Sequence, residues 1–231
     1  MSPDERRGAP VSAEARPPAA GPPFLAVCGS RKPAPGISRP SAARELLRAV
    51  VQGMAEAGAE AAWLDLRDLD LPHFDGRPPE AYGSADLERA RAQVLRSQVV
   101  VLSVPAYWQG PAGVVKNFLD LVGGPAYDAP PDQAPPLAGK VVALLVVGAD
   151  RGSGHSALGA MRLTLAAMGA WTAPRAAVVG DLREVRSTAV LLASLKEFGR
   201  YVAGIGAVQA PIAAIRPAFA PVPGPSVGAG R

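Results

Sequence analysis

The chain has 231 residues, 48% hydrophobic and 19% charged, with a formal net charge of +4 at neutral pH. That length supports one well-buried core, and without a basic run the charge gives nucleic-acid binding little support. The lone cysteine excludes an internal disulfide, two histidines without clustered cysteines or carboxylates argue against a metal site, and no apolar run approaches the roughly 18 residues of a membrane span.

Residues 1–23 are rich in Pro, Ala, Gly and charge and lack apolar periodicity, so they read as a flexible tail. They also lack the apolar centre of a secretory leader, and a cytoplasmic protein is the expectation. A second Pro/Ala/Gly segment, residues 209–231, reads the same way, which leaves 24–208 as the folded unit. Arg216 and Arg231 in that second tail carry +2 of the net charge.

Within the folded unit, short aliphatic runs alternate with helical patterns. FLAVC (24–28) is a first buried strand, and a helix over 41–58 places Leu46, Leu47, Val50, Val51 and Met54 on one stripe. Arg44, Glu45, Arg48 and Glu56 fall largely outside that stripe. Strands follow at 59–66, 98–104, 140–148 and 173–180, and helices at 85–97, 113–124, 155–170 and 184–204. Strand alternating with helix five times predicts a single open α/β domain with a parallel sheet. Two strand orders compete: the flavodoxin-like 2-1-3-4-5 and half of a dinucleotide-binding Rossmann sheet. In both, ligands sit beyond the carboxyl ends of the strands, so the loops after Cys28, Val104 and Gly148 carry the chemistry. The long proline-rich loops 67–84 and 125–139 could frame a site or a subunit contact.

The first of these loops, GSRKPAPGISRPS (29–41), supplies Ser30, Arg31, Lys32, Ser38, Arg39 and Ser41 directly before a helix. Hydroxyls and cations beside the positive end of a helix suit a phosphate. The pattern G-x-x-x-x-G-K-S/T is absent, so a single phosphate monoester fits better than a triphosphate with magnesium. Ser41 on its own would be a helix cap. In the second loop, PAYWQGPAGVVKNFLD (105–120), Tyr107 and Trp108 offer flat faces, and Gly110 and Gly113 let backbone come close. A planar, mostly apolar heterocycle suits that arrangement, and so does a contact surface. In the third, GADRGSGHSALG (148–159), Gly152 to Ala157 matches a dinucleotide fingerprint, but at the fourth βα turn rather than the first. It reads better as a glycine-lined wall containing Gly152 and Ser153. His155 reads as a polar helix start, and Cys28 as a small buried residue at a strand end.

The stretches GSRKPAPGISRPS and PAYWQGPAGVVKNFLD resemble the NAD(P)H-dependent FMN reductases, which are flavodoxin-like flavoproteins. LDLRDLDLPHFD (64–75), GKVVALLVVGADRGSG (139–154) and MRLTLAAMGAW (161–171) support the resemblance, which spans about 24–205. It implies a flavodoxin-like, doubly wound, five-stranded parallel sheet of order 2-1-3-4-5. It also implies that Ser30, Ser38, Arg39 and Ser41 hold the FMN phosphate, with Arg31 or Arg39 as its cation. Pro105, Ala106, Tyr107 and Trp108 would line the isoalloxazine, Gly110 would permit its approach, and Gly152 and Ser153 would stand beside it. Asn117 and Asp120 would fix the loop–helix junction.

No acid–base cluster is implied, because the cofactor carries the chemistry. NADPH or NADH would be the reductant, a small molecule such as a flavin, quinone, azo compound or pathway intermediate the electron acceptor, and a homodimer or homotetramer the assembly. An electron carrier like flavodoxin and a flavin-free interaction protein are the alternatives. A carrier is usually strongly acidic, which this chain is not.

Overall fold

The structure, a computed structural model, describes residues 24–32, 40–125, 134–181 and 189–215. Three strands form its centre: β1 (Phe24–Cys28), β3 (Val99–Tyr107) and β5 (Val141–Val147). Both faces of these strands are buried, so each reads as an unbroken aliphatic run rather than an alternating one. β2 (Ala61–Asp65) pairs with β1 on one side, and with β6 at Trp171–Thr172 the sheet path is β2-β1-β3-β5-β6, with all pairs on it parallel.

The fold class is the expected flavodoxin-like α/β one, but the described residues form seven strands instead of five. The predicted run 173–180 holds only β7 (Ala177–Val179), and β6 (Trp171–Thr172) lies just before it; both pair with β5. Pro174, which has no N–H to give a ladder, lies between the two pieces. The seventh strand, β4 (Gly110–Pro111), pairs antiparallel with the end of β3.

Helices cover both faces. The α1 helix (Ala42–Glu56) and α5 (Ala189–Ile215) lie on the face lined by Phe24, Ala26, Cys28, Val99, Val101 and Leu145. On the opposite face, lined by Leu25, Val27, Leu102, Val104, Leu144 and Val146, lie α2 (Ala85–Arg96), α3 (Gly113–Gly123) and α4 (Arg151–Ala167). The period-2 alternation along each strand divides the core into these two layers.

Two helix limits differ from expectation. The α4 helix begins at Arg151 rather than near 155, because the Asp150 side chain caps it by accepting from the Ser153 N–H at 2.8 Å. The last helix, predicted over 184–204, is Ala189–Ile215; its end lies beyond 204, while the predicted residues 184–188 lie outside the described residues.

Candidate active site

The chain crosses from β1 to β2 on one side of the sheet and then to β3 on the other. The switch point therefore lies between β1 and β3, at their carboxyl ends. Gly29, the first residue beyond β1, donates its N–H to the Ser103 carbonyl at 2.9 Å. A Cβ there would clash with that carbonyl and lie 2.5 Å from Val115 Cγ2, so only glycine lets the first loop leave the sheet this closely.

Ser30 is buried, and its Oγ accepts from the Lys32 N–H at 3.3 Å, while Arg31 and Lys32 are exposed. Ser41 is buried at the N-cap of α1, where its Oγ accepts from the Arg44 N–H at 3.3 Å. The capping role is thus realised. The next two N–H groups, of Ala42 and Ala43, have no acceptor among the described residues, as expected of a helix start that faces a ligand or solvent. Ser38 and Arg39 lie outside the described residues.

Arg44, expected on the solvent side, is instead only 6% exposed. Its Nε donates to Asp65 Oδ2 at 2.5 Å and its Nη2 to Asp65 Oδ1 at 3.0 Å. The remaining donors reach the first loop, Nη2 to the Ser30 carbonyl at 2.9 Å and Nη1 to the Lys32 carbonyl at 3.1 Å. One guanidinium thus joins the end of β2, the start of α1 and the loop after β1. It also holds two carbonyls that would otherwise repel an anion in that loop. Burial pushes the Asp65 carboxyl up, but the Arg44 hydrogen bond and the Arg67 N–H outweigh this and hold it below the usual carboxylate range. Burial pushes the neighbouring Cys28 thiol up to about 11, so at neutral pH it is protonated and unreactive.

The second loop is a hairpin. Tyr107 pairs with Gly110 and Ala106 with Pro111, and the two residues between, Trp108 and Gln109, have φ of 49° and 66°. Positive φ at both centres is the requirement of a type I′ turn, here met without glycine. The turn lifts Trp108 to 98% exposure and leaves Tyr107 half-exposed, while Pro105 and Ala106 stay buried beneath. Gly110 is half-buried in β4.

Gln109 ties this hairpin to the third loop. Its Nε2 donates to Ser153 Oγ at 3.2 Å, and its Oε1 accepts from Ser156 Oγ at 2.9 Å. Ser153 Oγ in turn donates to Asp150 Oδ2 at 2.6 Å, and both Ser153 bonds hold the Asp150 carboxyl below its usual range. Gly152 and Ser153 therefore stand on the first turn of α4, not in a loop; Gly152 is exposed and Ser153 buried. His155 falls in the second turn. Asn117 accepts from the Phe74 N–H and donates to the Pro72 carbonyl, each at 2.8 Å, so it fastens α3 to loop 67–84. Asp120 forms an exposed pair with Lys116.

Arg44, Asp65, Gln109 and Asp150 are the residues sequence reasoning missed. A signal existed for the first two: Arg44 stands three residues before Leu47 on a helix that packs on the sheet, and Asp65 interrupts the apolar Leu64 and Leu66. Opposite charges in two buried segments point to each other. Among the described residues no three His, Cys, Asp or Glu side chains converge as a metal site, and no helix is long and apolar enough to cross a membrane.

A parallel α/β sheet of this order, with a helix N-terminus and an aromatic hairpin at the β1/β3 switch point, defines a flavodoxin-like protein. The chain belongs to the NADPH-dependent FMN reductase family, whose model matches residues 22–184, and it is an NAD(P)H-dependent oxidoreductase of the flavin class. No curated protein matches it. Among solved structures, an apo NADH:FMN oxidoreductase is similar with a TM-score of 0.59 at 18% identity, covering 79% of this chain and 89% of that one. An azoreductase from Bacillus anthracis str. Sterne is similar with a TM-score of 0.56 at 17% identity, covering 78% and 97%. RosB, solved with bound 8-demethyl-8-formylriboflavin-5′-phosphate, is similar with a TM-score of 0.57 at 16% identity, covering 90% and 92%. At these identities the likeness is one of fold.

Proposed function

We propose that this chain binds FMN at the β1/β3 switch point and uses NADPH or NADH to reduce a small acceptor in two half-reactions. The observation that carries the reading is the convergence there of buried Ser30 and Ser41, the open N-terminus of α1 and the exposed Tyr107–Trp108 hairpin. The residues present fit the cofactor: hydroxyls and free N–H groups suit a phosphate monoester, and the aromatic edge suits a flat ring. FMN, when bound, would supply the redox chemistry between a nicotinamide reductant and a flavin, quinone, azo compound or pathway intermediate as acceptor.

The chain's own work is binding and orientation. Ser30, Ser38, Arg39 and Ser41 hold the phosphate, with Arg31 at the mouth of the loop, and Arg44 keeps that loop in shape. Pro105, Ala106, Tyr107, Trp108 and Gly110 line the ring, and Gln109 fixes the hairpin against Ser153 beside Gly152. No side-chain acid is required, so specificity for the acceptor rests on the hairpin and the loops around it. The reading includes a cytoplasmic location and a homodimer or homotetramer, the assembly being tested by sedimentation.

The cofactor site is tested by FMN titration of the wild type and of the Arg39→Ala, Ser41→Ala double variant. The expected result is weaker FMN binding by about tenfold or more with helix content unchanged. Equal affinity in the two proteins would move the phosphate to other residues.

A further inference from the structure

A second face of α4, one the reaction described above does not use, borders a groove of about 500 Å³ against the segment that enters β7. Its floor is apolar: Leu158 is buried, and Pro174, Ala176 and Val178 complete it from the opposite wall. Its rim carries three arginines. Arg151 and Arg162 lie on one stripe of the helix with His155 between them, each separated by about a whole number of turns, and Arg175 faces them.

Among the described residues no acid lines the groove, and the arginines with contacts there have neutral partners. Arg162 Nη2 donates to the Pro174 carbonyl at 3.3 Å, and the Arg175 guanidinium lies over the Tyr201 ring at 5.0 Å. Glu197, the carboxylate that feels Arg175, is paired with Arg200 at 2.6 Å. Asp150, next to Arg151, is committed to Ser153. These contacts set the direction of the arginines without neutralising them. An apolar floor beneath a rim of arginines, with no acid among its described lining residues, suits an aromatic heterocycle that bears phosphates, and the volume is that of a nucleotide site.

The place of the groove narrows the ligand further. Arg151 opens α4 at the carboxyl end of the sheet, the end that carries the candidate FMN loops. From there the stripe runs about 16 Å along the helix to Arg162, at 1.5 Å per residue. A ligand in the groove therefore extends from the candidate active site down the edge of the sheet.

We infer that the groove holds the adenosine half of NADPH, with Arg162 and Arg175 on its 2′-phosphate and Arg151 towards its pyrophosphate. The inference rests on the reading that this chain oxidises a nicotinamide dinucleotide. Guanidinium groups match phosphate oxygens in a fork geometry, and an arginine is the usual means of accommodating a 2′-phosphate. The groove thus determines the preference for NADPH over NADH.

The test is calorimetric titration of the FMN-supplemented full chain with adenosine 2′,5′-bisphosphate and with 5′-AMP, alongside kcat/KM for NADPH and NADH. The bisphosphate is expected to bind at least about tenfold more tightly than 5′-AMP, and Arg162→Gln with Arg175→Gln to abolish that difference. The NADPH-to-NADH ratio of kcat/KM falls in parallel. Both side chains are exposed, and an unchanged melting temperature establishes that the variant is folded. Equal binding of the two nucleotides by the wild type, or bisphosphate binding unchanged in the variant, would overturn the groove. Failure of either dinucleotide to reduce the flavin would overturn the oxidoreductase reading instead, and the nucleotide titrations would still judge the groove.

Discussion

Arg44 and Asp65 are the residues on which the shape of the first loop turns. A bidentate pair with both side chains under 10% exposed is a poor source of net stability, because desolvation offsets most of its Coulombic gain. Breaking it is another matter, since the surviving charge is stranded. Asp65→Asn is therefore expected to destabilise the fold by about 3–5 kcal/mol at neutral pH. The pH dependence follows from the depressed carboxyl of Asp65. Its stabilisation is present above the unfolded value of about 4 and is lost as pH falls through the folded one. The gap in melting temperature between wild type and variant should therefore narrow between about pH 5 and the acid limit of folding. A gap that stays constant through that range would mean that Asp65 does not carry the charge assigned to it.

The elements pack by different rules in different places. Across most of the sheet the helices rest on branched aliphatic side chains, but α1 and α5 meet backbone to backbone. A Cβ on Gly53 would run into the Lys196 carbonyl, and one on Gly199 into the Val50 carbonyl. Gly199→Ala should gain about 1 kcal/mol of helix propensity and lose more to the clash, for a net loss of about 1–3 kcal/mol in denaturant unfolding. A stabilised variant would show that the two helices can separate freely. The hairpin is the second special element. Its turn residues, Trp108 and Gln109, adopt backbone angles that favour glycine or asparagine, at a cost of roughly 1–2 kcal/mol each. The hydrogen bonds of Gln109 to Ser153 and Ser156 help to offset that cost, and the strain places Trp108 clear of the surface beside the site.

At the scale of the whole molecule, the architecture was legible because strands buried on both faces leave a distinctive trace. FLAVC, QVVVLSV and KVVALLVVG need no partner information to be read as a central parallel sheet, and amphipathic stretches between them force the crossovers. The edge was less legible. The segment 173–180 reads as one strand, but the edge pairs as two pieces, 171–172 and 177–179, on either side of Pro174, because an edge strand need not be continuous. The start of α4 differs from the sequence expectation for a local reason: Gly152 and Gly154 read as loop, while the cap that overrides them is a single side chain, Asp150. The site residues that show in sequence are those with ligand-like chemistry next to a helix start. Those that shape the site, Arg44 and Gln109, work through tertiary partners 21 and 44 residues away and leave no local pattern.

The central claim is that this family member binds FMN and oxidises a nicotinamide dinucleotide. The most direct measurement is an absorbance spectrum of the purified chain with added FMN, followed by anaerobic addition of NADPH. Flavin bands perturbed by the protein that bleach on adding NADPH are the predicted result. Bands that are perturbed but persist would contradict the reductase reading and leave an electron carrier on the same fold. A spectrum identical to free FMN would contradict the cofactor site itself.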